Sequence, residues 1–119
     1  MSRSERPAGA DDESTAILSA LGSKYSAEIL CAADTPKSAQ ALSDDIEIPI
    51  ATCYRRIEEL VDAGLLECEG RTLSAEGRRT NIYRRTLDEI EVDFSDEAPH
   101  CSKKRRTEAK NQLRDQIAE

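Results

Sequence analysis

Apolar residues recur at helical spacing as far as Gly64 and close to every second position beyond it. In "DDESTAILSALG", Ile17, Leu18 and Leu21 form a stripe, acids and Ser14 gather at its start, and Gly22 is a stop; the spacing predicts a first helix. A second is predicted over 24–33, where Tyr25, Ile29, Leu30 and Ala33 share one arc. "DTPK" interrupts the pattern. Ser38 is a natural N-cap for a short third helix, "SAQALSDD". After the brief turn "IEI", Pro49 takes the favoured first position of a fourth helix that runs to Gly64.

The period then shortens. "LLECEGRT" and "NIYRRTL" predict two strands joined by the polar loop "LSAEGRR". "EIEVDF" alternates, which predicts a further strand with Ile90, Val92 and Phe94 on one face and Glu89, Glu91 and Asp93 on a solvated one. After Pro99, "SKKRRTEAKNQLRDQIAE" spaces Ala109, Leu113 and Ile117 four apart, predicting a C-terminal helix. Its stripe is too narrow to hold a helix alone and needs the body or a second subunit to dock on. The expected fold class is mainly α with a small antiparallel sheet. The expected division is a disordered tail over 1–11, one folded domain over 12–97, and a helical segment over 98–119 suited to dimerisation.

Direction of side chains gives the fourth helix its interest. At about 100° per residue, Ile50, Cys53, Ile57, Leu60 and Val61 make one apolar arc, so Cys53 belongs to the core. Tyr54 falls at the edge of that arc, with its ring partly buried and its hydroxyl outward. Thr52, Arg55 and Arg56 face away, Ala51 lies nearer the flank, and Glu59 and Asp62 continue the outer face. That face is basic in its first half and acidic in its second. A helix that puts its N-terminal residues into a major groove has reason for this polarity. Arginine donates two hydrogen bonds to guanine, and threonine meets a base edge or a thymine methyl. On an ordinary solvated helix the two arginines would instead pair with Glu58 and Glu59.

Charge strengthens the first of these readings. The 119-residue chain has a formal net charge of −7, which by itself argues against nucleic acid. The charge is segregated, however: 71–85 carries five arginines against the single acid Glu76, whereas 88–97 carries six acids and no base. Arg78 and Arg79 fall at the predicted hairpin tip and Arg84 on the returning strand, opposite the face that Tyr83 and Leu87 give to the core. From there they would contact phosphate or the minor groove. Ser38, at a helix N-terminus, would add a backbone-phosphate contact. "KKRR" at 103–106 either extends the phosphate footprint or keeps a frayed helix start soluble. Twelve arginines to five lysines under a heavy acid load fit the acidic surface of halophilic proteins.

Three helices, a turn, a longer helix and a hairpin are the order of a winged helix-turn-helix. The stretch "SAQALSDDIEIPIATCYRRIEELVDAGLL" resembles the ArsR-like winged-helix regulators of bacteria and archaea, especially small haloarchaeal ones. Ala41, Leu42, Pro49, the "YRRI" run and "AGLL" before the wing carry the resemblance, which spans about 15–87. It implies a homodimeric transcription regulator that binds double-stranded DNA through Ser38, Ala51, Thr52, Tyr54, Arg55, Arg56, Arg78, Arg79 and Arg84. The Cys-x-Cys pair of metal-sensing members is absent, so neither metal nor cofactor is expected. A winged-helix adaptor that binds protein instead of DNA is the alternative; it would show a greasier recognition face.

The four cysteines, at 31, 53, 68 and 101, lack metal-ligand spacing. Cys31 falls opposite the apolar arc of the second helix and is the first candidate redox thiol; Cys101, in a stretch expected to be accessible, is the second. Cys68 is expected to be half-buried beside Leu66. With one histidine and no nucleophile–base pairing, the chain is not expected to be an enzyme. No apolar run approaches a membrane span, and the polar N-terminus is unlike a signal peptide, so a cytoplasmic location is expected.

Overall fold

The computed structural model describes residues 8–73 and 79–105. Helix α1 (Ala8–Gly22) begins inside the segment expected to be a loose tail. It buries Ser14, Ile17 and Ala20 and rests Leu18 and Leu21 against the margin of the core. Tyr25 then turns left-handed at φ 76°, so α2 (Ser26–Ala32) starts two residues later than its periodicity implies. Ile29 and Leu30 anchor it in the core.

The next segment carries the helix-turn-helix. A two-residue strand, β1 (Lys37–Ser38), which the sequence does not announce, leads into α3 (Ala39–Ile46). Ser38 caps α3 as expected, its hydroxyl accepting from the Ala41 N–H at 3.1 Å. Glu47 closes α3 in the left-handed region at φ 57°. The turn is then fixed from inside: the buried Ser43 hydroxyl donates to the Ile48 carbonyl at 2.5 Å, and the Ile48 N–H donates to the Ser43 carbonyl at 3.1 Å. Pro49 stands before α4 (Ile50–Asp62), which buries Cys53, Ile57 and Leu60. Val61, assigned to the apolar arc by the sequence, lies at its edge and is 36% exposed.

Gly64 reverses the chain at φ +79°, a conformation that favours glycine. Leu65 and Leu66 then plunge into the core. β2 (Leu66–Leu73) and β3 (Arg79–Arg85) form the expected antiparallel hairpin, with β1 added on the far side of β3. The register shifts between Cys68 and Gly70, a bulge.

β4 (Leu87–Asp93) leaves this sheet and pairs with β5 (His100–Arg105) in a sheet of its own. Here the expected C-terminal helix needs correcting. Its first residues form a strand, and 106–119 lie outside the described residues. The cause is charge and alternation: β5 sets its basic run beside the acids of β4, with Lys104 reaching Glu89 at 3.7 Å. Its inward positions, Cys101 and Lys103, meet α1, where the Cys101 N–H donates to the Ser14 hydroxyl at 3.0 Å and Lys103 pairs with Glu13 at 3.6 Å. The pairing crosses the division expected at 97/98. Ile90 and Val92 pack on the core as their alternation implies. Phe94, one residue past the strand, does not follow them and is 72% exposed.

Candidate nucleic-acid interface

α4 presents Ala51, Tyr54, Arg55 and Glu58 to solvent, with Thr52, Arg56 and Glu59 half-buried on one flank. The open face is therefore turned toward Tyr54 relative to the expectation, and Arg56 is drawn onto the α1–α2 connection at Lys24. Tyr54 is 54% exposed rather than partly buried. Arg56 is engaged within the chain: its Nε donates to the Lys24 carbonyl at 2.9 Å, and its Nη1 donates to both oxygens of Glu59 at 3.2 and 3.3 Å. Of the two adjacent arginines, Arg55 is the one directed outward.

The wing is anchored at its root. The Arg85 backbone N–H donates to the Ala33 carbonyl at 2.8 Å, its Nη1 to the Leu30 carbonyl at 3.0 Å, and its Nη2 to Asp88 at 3.1 Å. Thr86 adds a hydroxyl bond to the Gly64 carbonyl at 2.8 Å. Together these bonds set the wing's angle to α2 and α4.

The wing arginines named from the sequence fare differently. Arg84 lies on the outer face, as alternation implies, but its Nη1 is paired with Glu69 at 3.2 Å. Arg79 opens β3 opposite Leu73, and Arg78 lies outside the described residues. Ser38 spends its hydroxyl on the α3 cap. The residue that the sequence reading left unassigned is Arg71. It stands opposite Asn81 in the hairpin register, and its Nε donates to Asn81 Oδ1 at 3.0 Å. Counting outward from the hairpin loop would have found the pair, since opposed residues share a face.

Two of the four thiols sit where the sequence puts them. Cys31 is exposed on α2, and Cys53 is buried against the Ala39 carbonyl, where desolvation pushes its pKa up. The other two are reversed: Cys68 is exposed beside the bulge, and Cys101 is buried under α1. Burial of Cys101 follows from β5, whose alternation turns it inward. Among the described residues no group of three or more His, Cys, Asp or Glu could hold a metal ion. No described helix is long and apolar enough to cross a membrane.

A helix pair joined by a short turn, backed by two helices and flanked by an antiparallel hairpin, is a winged helix-turn-helix, with α4 in the place of the recognition helix. The chain belongs to the helix-turn-helix domain family, whose model matches residues 10–69, half of its length; this is a family of DNA-binding regulators. No curated protein matches the chain.

Proposed function

We propose that this protein is a sequence-specific transcription regulator of the ArsR-like winged-helix type, acting in the cytoplasm as a homodimer on double-stranded DNA. The observation that carries the reading is the solvent-facing start of α4, where Ala51, Tyr54 and Arg55 are exposed. They occupy the position from which a recognition helix reads base edges, and the acids Glu58 and Asp62 lie toward its far end. Arg55 supplies the guanine-type contact, with Thr52 at the flank. The wing supplies phosphate contacts.

Selection of duplexes from a random-sequence pool by the full chain tests this directly. Enrichment of a palindrome with half-sites about one helical turn (roughly 34–36 Å) apart is expected, and Arg55→Ala should lose it. A single half-site would argue for a monomer. No enrichment would favour the adaptor reading and send the search to protein partners. A thiol-based response is the finer part of the proposal. It rests on Cys31, exposed on α2 next to Leu30, whose carbonyl is held by the wing-root Arg85. Peroxide should then shift occupancy in the wild type and not in Cys31→Ser.

A further inference from the structure

We propose that Arg71, Asn81, Tyr83 and Tyr54 form one seat for a backbone phosphate of duplex DNA, in the angle between α4 and the wing. The seat rests on the DNA-binding reading above and assigns it a phosphate contact away from the hairpin tip, made by the wing with Tyr54 of α4 alongside. Its geometry begins with strand register. Arg71 lies opposite Asn81, and Tyr83 follows two positions along β3, so all three share the face that looks toward the helices.

The hydrogen bonds run in one direction. Arg71 Nε donates to Asn81 Oδ1 at 3.0 Å, and Asn81 Nδ2 donates to the Tyr83 hydroxyl at 3.5 Å. The Tyr83 oxygen is thereby an acceptor, and its own hydrogen is left to point at a ligand. Arg71 is exposed and uses its Nε within the chain, which leaves its terminal Nη groups to meet a phosphate. Beside this ladder is a cleft of about 190 Å³ lined by Ala39, Tyr54, Thr80, Asn81 and Tyr83. That is smaller than the roughly 300 Å³ at which small-molecule pockets begin, and suits a single small group. Its lining offers hydroxyl and amide groups and no carboxylate, and the nearest charge of the ladder is a guanidinium. Such a setting is selective for an anion. Arg84 makes the contrast: it stands on the opposite face, and Glu69 neutralises it.

The test measures affinity against salt for a duplex selected by the wild type and for a scrambled one. Arg71→Ala should flatten the dependence of log K on log salt by about 0.9, the share of one phosphate. It should weaken both duplexes alike, by about tenfold at low salt, the order expected for a charged hydrogen bond. Arg71→Lys should restore the slope. Tyr83→Phe keeps the ring and should cost several-fold with the slope unchanged. A wild-type slope in Arg71→Ala, or a loss confined to the selected duplex, would overturn the seat. Arg55→Ala is run beside them. If it loses sequence preference while Arg71→Ala behaves as wild type, the seat alone is wrong; if the wild type selects no duplex, the DNA-binding reading fails and the seat with it.

Discussion

Arg55 and Arg56 are neighbours in sequence but about 100° apart around α4, and that rotation separates their surroundings. Arg56 bonds to the Lys24 carbonyl and to Glu59, and so ties α4 to the α1–α2 connection; Arg55 faces solvent. Arg56→Ala should therefore lower unfolding stability by about 1 kcal/mol, a charged hydrogen bond discounted for partial exposure, and weaken all duplexes equally. Arg55→Ala should leave stability unchanged and alter which duplex is preferred. Denaturant unfolding together with binding to selected and scrambled DNA separates the two. A second residue-scale expectation concerns the thiols. In the native protein, Cys31 and Cys68 should alkylate first and Cys53 and Cys101 only after unfolding, which mass spectrometry of labelled peptides resolves. Burial raises the Cys53 pKa, so the folded state keeps its proton where the unfolded chain has lost it. This thiol's contribution to stability is thus full below the ordinary thiol range and is lost as pH rises through the folded value. Cys53→Ala should flatten that alkaline loss.

At the scale of elements, the joint between α1 and the β4–β5 sheet turns on one buried hydroxyl. Ser14 accepts from the Cys101 N–H across 87 residues of sequence. Ser14→Ala leaves that amide without a partner, and the cost expected is about 1–3 kcal/mol. Hydrogen exchange should localise it, with the Cys101 amide and its β5 neighbours losing protection before those of α3 and α4. This joint also marks where the sequence stops being legible. The four helices could be read because each carries its own period and its own stops, and Ser38 as a cap needs only its neighbours. β5 could not, because "SKKR" opens a segment with the composition of a helix and forms a strand beside the acids of β4. The same distinction divides the candidate site. Exposure of Arg55 and burial of Cys53 follow from helical rotation alone. The partners of Arg56 and Arg84 lie elsewhere in the chain, at Lys24 and Glu69, and no local pattern points to them. Tyr54 is more exposed than its angle implies, because an ideal wheel gives a residue's direction but not what the rest of the fold sets beside it.

For the whole molecule, the acidic charge and the basic seat pull in opposite directions with salt. A net charge of −7 on 119 residues repels itself in the folded state. Acids crowd the β4 side, where Glu89, Glu91, Asp93, Asp96 and Glu97 are exposed. Raising salt shortens the screening distance from about 30 Å at 0.01 M to about 3 Å at 1 M, so the melting temperature should rise over that range. DNA affinity should fall over the same range, because each phosphate contact releases a counterion whose entropy gain shrinks as bulk salt grows. The two trends are separable by mutation. Replacing exposed acids of the β4 side, as in Glu91→Gln/Glu97→Gln, should raise the melting temperature at low salt and not at high salt, while the slope of affinity against salt stays as in the wild type. Arg71→Ala should do the reverse, flattening the affinity slope and leaving the salt response of melting in place. Calorimetry and anisotropy on the same samples decide it. A melting temperature indifferent to salt would mean that self-repulsion is already balanced within the fold.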